Sequence, residues 1–332
     1  MKALDVPVLL LFFTRTEQTK QVFEKIRMAR PKKLYLFQDG PRENNADDIN
    51  GIRECRDAVE SMIDWECEVH RNYHDSNLGC DPSGYLSRKW VFETEDKAII
   101  LEDDCVPDVT FFEFCRNMLF KYEFDNRIQM VCGFNPLGTY KVKDYDYFFS
   151  KVGSIWGWAT WKRVVDGWDP EYSWLESPEK VKSVLSNYPT KYERDRIYEA
   201  FLRHRNSGIP YFETINAADM MLNGRFAINP CRNLISNCGI CSTTTHAVND
   251  LKLLPRASRK LFYSVTYPMS EEPVGPNDVV NEKNYKKCVD RQLGNNSVSA
   301  FFRRWESCFL LIKHNGLKAF VDRVKRKIRK QK

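Results

Sequence analysis

Three consecutive carboxylates, Glu102, Asp103 and Asp104, directly follow the apolar run 98–101. Side by side, such groups repel one another and raise each other's pKa unless a cation joins them. If the run is a strand of an open α/β sheet, the cluster lies in the crevice beyond its carboxyl end, where ligands bind. Mg2+ or Mn2+ would suit that place, because hard dications take one or two protein carboxylates and complete their sphere with phosphate oxygens and water. Such an ion would stabilise a diphosphate leaving with developing negative charge. The plain alternative is a solvated acidic turn ahead of a helix capped by Asp108.

Two further groups stand just past apolar runs. Arg15 follows 6–13 and Asp39 follows 33–38. A carboxylate there can accept a nucleobase N–H, and a guanidinium can lie on a base face. Turn chemistry at Asp39-Gly40-Pro41 and a surface charge at Arg15 are the alternatives. Trp156, Trp158, Trp161 and Trp168 cluster among Gly153, Gly157 and Gly167. Indoles offer sugars an apolar face and an N–H, and glycines let the backbone approach closely. Packing accounts for some of these tryptophans, so at least two of the four are expected in the core, with Trp156 or Trp158 near a sugar.

The elements that must position these groups follow a βα rhythm over the first two-fifths of the chain. Strands are expected at 6–13, 33–38, 66–72, 97–101 and 128–132, the first two-sided and buried. Helices are expected at 17–29, 46–62, 83–95 and 108–123, with a further helical region over 178–206. The loop between the third strand and third helix ends in Asn77-Leu78-Gly79-Cys80. This is an α/β layout with a mostly parallel central sheet.

Composition narrows the function. The chain has 332 residues, 42% hydrophobic and 29% charged, which is ordinary for a globular protein. The apolar run 8–13 is too short to cross a bilayer and lacks a cleavage site, so it reads as a strand. Eleven cysteines, many in apolar settings such as Cys105, Cys115 and Cys132, fit a reduced cytoplasmic protein. Cys238 and Cys241 form a CxxC with Cys231 nearby, but no second pair completes a zinc site. Residues 297–332 hold eleven Lys/Arg and two Asp/Glu, so the tail is basic and the rest of the chain near neutral. A nucleic-acid enzyme would spread basic residues over its working face, so no nucleic-acid partner is expected.

Several strings occur in one order: 7–15 (Pro-Val-Leu-Leu-Leu-Phe-Phe-Thr-Arg), Phe37-Gln38-Asp39, and 99–108 with the acidic cluster. They resemble N-acetylglucosaminyltransferase I and its relatives. The stretch 154–163 is similar to the glycine–tryptophan loop of bacterial GT-A glycosyltransferases. Asn233-Leu234-Ile235-Ser236-Asn237-Cys238-Gly239, followed by Thr245-His246, is similar to their closing motif. The resemblance spans roughly 6–246 and implies a Rossmann-like GT-A fold. It divides the chain into a catalytic domain, 1–250, and an extension, 251–332. Within the domain, 1–132 would bind a nucleotide sugar and 133–250 an acceptor.

The resemblance also implies roles. Thr14, Arg15, Asp39, Gly79, Glu102, Asp103, Gly157 and Trp158 would bind the donor, and Asp104 with His246 the metal, Mn2+ or Mg2+. Where the bacterial relatives place Trp-Asp ahead of the proline before the closing motif, this chain has Phe212-Glu213 ahead of Pro230. Glu213 is then the expected general base, at the start of a helical stretch. Asp219 is the competitor, about 240° around a helix from it, so the two cannot face one substrate. The implied activity moves a sugar, with inversion, from a nucleotide-diphospho-sugar such as a UDP-sugar to a glycan or lipid-linked acceptor. A sugar nucleotidyltransferase would want a glycine-rich phosphate loop after the first strand, and no glycine follows Thr14-Arg15-Thr16 before Gly40.

In the tail, Phe301, Phe302, Trp305, Phe309 and Ile312, then Leu317, Phe320, Val321, Val324 and Ile328, recur at helical spacing on either side of Asn315-Gly316. Such a helix suits the surface of an anionic bilayer, which would place the protein on the inner face of the cytoplasmic membrane. A helix packed on the body with a frayed basic end is the other reading. A non-catalytic membrane-binding protein would explain the tail and leave the acidic cluster without a purpose.

Overall fold

Apolar runs and amphipathic stretches become strands and helices almost where their periodicity puts them. The computed structural model describes residues 3–240 and 250–329. The first third alternates β1 (Val8–Phe12), α1 (Thr16–Ala29), β2 (Lys33–Gln38), α2 (Ala46–Ser61), β3 (Glu68–Tyr73), α3 (Cys80–Thr94) and β4 (Lys97–Glu102). There follow β5 (Cys105–Pro107), α4 (Thr110–Lys121), β6 (Ile128–Cys132), β7 (Tyr147–Ser150), β8 (Trp158–Trp161) and α5 (Lys162–Val165). The next elements are α6 (Pro178–Leu185), α7 (Lys191–Ser207), α8 (Phe212–Leu222), β9 (Phe226–Pro230) and β10 (Ile235–Asn237). The chain closes with α9 (Arg256–Arg259), α10 (Lys283–Leu293) and α11 (Ser297–Arg329).

The central sheet runs β3-β2-β1-β4-β8-β6-β9-β7. Its first four strands are parallel, β8 and β7 are antiparallel to their neighbours, and β6 and β9 are parallel to each other. The Rossmann-like, mostly parallel sheet flanked by helices and the helical C-terminal segment expected from the sequence are both present.

β1 shows why its run is apolar throughout. Val8, Leu10 and Phe12 point into a core shared with Val22, Phe23 and Ile26 of α1 and Phe111 and Met118 of α4. Leu9 points the other way, into a core with Phe92 of α3, Trp158 of β8 and Ile215 of α8. A strand covered on both faces has no polar side, and each fully buried Leu or Phe contributes roughly 1.5–3 kcal/mol.

Two local readings change. The helical region 178–206 is two helices, because Pro189 has no N–H and restricts the residue before it. Thr190 and Glu193 then form a reciprocal capping box that starts α7. The cap position of α4 is Val109 and not Asp108, although Asp108 Oδ1 accepts from Thr110 N at 2.9 Å and Thr110 Oγ1 at 2.6 Å beside it. The acidic cluster is not part of that cap, since β5 intervenes.

β5 pairs antiparallel with β10, setting Asn237 opposite Cys105. Residue 250 is not a packing boundary. Tyr263 N bonds Asn237 O and Tyr267 N bonds Asn233 O, each at 2.9 Å, and Met269 is buried in the main core. α11 is broken at Gly316, whose φ of 81° lies in the left-handed region.

Candidate functional site

β1, β2 and β4 end on one cavity of about 590 Å3, which Phe13, Arg15, Asp39, Glu102, Asp103 and Asp104 help to line. This is the crevice at the carboxyl ends of parallel strands. The acidic cluster leaves the end of β4, where Arg88 supports Glu102 and Arg15 is shared by Asp103 and Asp104.

Glu102 Oε1 accepts from Arg88 Nη2 at 2.8 Å. Arg88 is wholly buried within α3, where its Nη1 also donates to Gly84 O at 2.8 Å and its guanidinium lies 4.1 Å from the centre of the Phe212 ring. Asp103 is buried and accepts from Phe13 N at 3.1 Å and from Arg15 Nη1 at 2.8 Å. The same Arg15 nitrogen reaches Asp104 Oδ2 at 2.8 Å. Asn237 Nδ2 donates to Asp104 Oδ1 at 3.1 Å, and Cys238 N to the Asp104 carbonyl at 2.8 Å. The β5–β10 pairing thus brings the closing motif onto the acidic cluster. Gly239 completes the fit, because a Cβ there would stand 2.2 Å from Asp104 Oδ2.

Among the described residues, two arginines face three carboxylates, so the cluster carries excess negative charge when all three are ionised. Burial pushes Asp103 up, opposed mainly by Arg15. Burial and then the Asp103 charge push Asp104 up to about 7. Oxygens of Glu102 and Asp104 and the Cys105 sulfur lie within 4.8 Å of one another. Burial holds the Cys105 thiol above its usual pKa, and a soft sulfur suits Mg2+ or Mn2+ less well than carboxylate oxygens do. The two carboxylates do fit a hard dication. Their residual charge favours a cation, and two protein oxygens leave room for phosphate and water in its sphere.

Across the cavity, Glu213 projects from the first turn of α8. Its carboxylate is exposed to the cavity, yet the crowding of the walls raises its pKa, with Glu102 and then Asp81 adding to the shift. Asp219, on the same helix, points into the protein. It accepts from Gln129 Nε2 at 2.8 Å, Asn223 Nδ2 at 2.7 Å and Arg225 Nη1 at 2.8 Å. The structure thus gives Asp219 a packing role in place of the expected competition for the base.

The five other residues expected to contact the donor are held mainly by local packing and turns. Asp39 accepts from Gly40 N and Leu78 N on Oδ1, and from Asn77 Nδ2 and Gly79 N on Oδ2, all at 2.8–3.0 Å. Those bonds occupy the four acceptor positions of a carboxylate and give Asp39 its turn role, while the residue also lines the cavity. Gly79, at φ 94°, starts α3 and serves that same turn. Trp158 and Trp161 are buried in β8, an interior strand, Trp168 is buried beyond it, and none of the three lines the cavity. Trp156 alone of the four lines the cavity, packed between Phe134 and Phe262. Gly157 is a packing requirement and not a ligand approach. Its φ is 61°, and a Cβ there would stand 2.3 Å from Ile235 Cδ1. Thr14 packs beneath Gly51 of α2, beside the cavity residues Phe13 and Arg15. His246 and Cys241 lie outside the described residues.

Sequence reasoning missed Arg88, Asn237 as a partner of Asp104, and Ser83. Ser83 lines the cavity with a buried Oγ that has no hydrogen-bond partner among the described residues. Arg88 left a signal, because it shares a helix face with Gly84, Val91 and Phe92, where a cation is out of place unless paired.

No family model and no curated protein sequence matches the chain. Among solved structures it is similar to UDP-glucose pyrophosphorylase complexed with UDP-glucose, at 7% identity and a TM-score of 0.33, over 69% of this chain and 91% of that one. No helix among the described residues is long and apolar enough to cross a membrane.

Proposed function

We propose that this protein is a metal-dependent, inverting glycosyltransferase. It would move a sugar from a nucleoside-diphospho-sugar, a UDP-sugar in the simplest case, to a hydroxyl of a glycan or lipid-linked acceptor. The observation that carries the reading is the under-neutralised cluster Glu102–Asp104 at the strand ends, facing Glu213 across one cavity.

Glu102 and Asp104 would hold Mn2+ or Mg2+, which when bound supplies positive charge to the departing diphosphate. Arg15 and Asn237 keep Asp104 aimed at the cavity, and Arg88 does the same for Glu102. Glu213 accepts the proton of the acceptor hydroxyl as that oxygen bonds to the anomeric carbon. The bond from that carbon to the diphosphate oxygen breaks, and its electron pair leaves with the nucleoside diphosphate. A base with a raised pKa takes that proton more readily, and such assistance contributes about 10²–10⁴-fold. Trp156 offers the sugar an apolar face.

The test is a thermal-shift panel of nucleoside diphosphates with and without Mn2+. A ligand at about 100 times its dissociation constant stabilises by roughly 2.7 kcal/mol. Metal-dependent stabilisation by one diphosphate, with release of that diphosphate from its sugar conjugate, is expected. Absence of any metal-dependent shift would sink the proposal. Formation of a nucleoside triphosphate from the sugar conjugate and pyrophosphate would reassign the site to nucleotidyl transfer.

A further inference from the structure

The first half of α11 carries an apolar face that the body leaves uncovered. Val298, Phe301, Phe302, Trp305, Phe309 and Ile312 fall within about 100° of the helix circumference. All six are exposed, with Phe301, Phe302, Trp305 and Phe309 between 56% and 65%. The opposite side is the one that touches the protein. Ala300 is buried there, Arg303 Nη2 donates to Gly294 O at 2.8 Å, and Glu306 Oε1 accepts from Arg256 N at 2.9 Å. The aromatic face is therefore directed outward by the packing of the helix itself. Exposed Lys313 and Arg304 border it on either side.

A second observation lies beside this face. A cavity of about 470 Å3 among α9, α10 and α11 is lined by Arg256, Lys260 and Arg291, with Glu306 from α11. Its cations outnumber its carboxylate three to one, so it suits the phosphate of a lipid headgroup next to inserted aromatic rings. Beyond Gly316 the sequence continues the theme, and residues 297–332 carry eleven Lys/Arg against two Asp/Glu.

From these observations we infer that the outward face of α11 and the adjoining basic cavity dock the protein on an anionic lipid bilayer. Rings enter the boundary between headgroups and acyl chains, and the flanking cations and the basic cavity hold acidic headgroups. A second copy of the chain is the poorer occupant, because it would set two strongly basic tails against each other. The docking surface is joined to the candidate site. Lys260 lines the basic cavity and Phe262, two residues on, lines the larger one. The inference stands whether or not the larger cavity transfers sugars.

The test uses the full chain and sedimentation with vesicles of phosphatidylcholine alone or with one-quarter phosphatidylglycerol. Binding to the anionic vesicles and not to the neutral ones is expected, and 0.5 M NaCl should reduce it without removing it. Phe302→Glu combined with Phe309→Glu changes exposed positions only. It should leave the melting temperature in place and lower partitioning at least tenfold. Lys260→Gln with Arg291→Gln, also exposed, should lower it by a smaller factor and reduce the preference for acidic lipid. A parent chain that ignores anionic vesicles would overturn the inference, as would an aromatic double variant that binds as well as its parent. Sedimentation velocity provides the other check. A dimer abolished by the aromatic variant, with no vesicle binding, would assign the face to a second copy.

Discussion

The carboxylates at the end of β4 and the carboxylate of Asp219 both lie beside an arginine, yet their surroundings differ in kind. Burial raises the pKa of Asp219 as well, but Gln129, Arg225 and Asn223 all favour its charged form against that effect. At Asp104 the neighbouring Asp103 and Glu102 act in the same direction as burial, and Arg15 is shared with Asp103. A closed, satisfied carboxylate stabilises a packing arrangement. A crowded one that opens on a cavity is poised for a cation that its described neighbours do not supply. Incomplete compensation, more than burial or the presence of an ion pair, separates the candidate site from the architecture around it.

That contrast is most exposed to failure at Asp104. Asp104→Asn keeps the shape and removes the charge, and should abolish the Mn2+-dependent thermal shift with nucleoside diphosphate while the fold remains. A mutant with unchanged metal dependence would break the comparison at its centre.

Glu213→Gln should lower kcat by about 10²-fold or more with donor affinity kept. The base works only when ionised, so kcat/KM of the parent should fall as pH drops through a pKa raised above the ordinary glutamate range. That acid limb should be absent from the residual rate of the variant. A limb that persists would move the base elsewhere.

Trp156→Ala should raise the donor KM by about tenfold, a loss of roughly 1.4 kcal/mol, with little change in kcat. An unchanged KM would remove Trp156 from the sugar subsite.

The smallest effect on activity is expected at Asp219. Asp219→Asn leaves Arg225 without its charge partner, and breaking such a buried pair costs about 3 kcal/mol of stability. Activity per folded molecule should stay within twofold. A denaturation midpoint that does not move, or a loss of turnover without loss of stability, would erase the distinction drawn between the two carboxylates.

Much of this arrangement is legible along the chain. The unbroken apolar runs of β1, β2 and β4 announce strands covered on both faces, and the acidic cluster sits at the end of the last of them. The angular separation of Glu213 and Asp219 on one helix already says that they face different ways. The tryptophan-rich stretch was harder to read, because a buried indole and a sugar-facing indole have the same composition and differ only in which side of β8 they leave. Trp156 precedes the strand and reaches the cavity, whereas Trp158 lies within it and does not.

Local sequence determined the βα rhythm, the strand-end carboxylates, the glycine break in α11 and the basic tail, since each depends on propensity, periodicity or charge within a few residues. Only the tertiary structure decided what those groups meet. The pairing of β5 with β10 puts Asn237 on Asp104, and the burial of α3 aims Arg88 at Glu102. The packing of α11 by its Ala300 side turns its aromatic residues outward. These outcomes depend on contacts between residues far apart in the chain, and the free energy of a buried charge or an exposed ring is set by its surroundings and not by its own residue type.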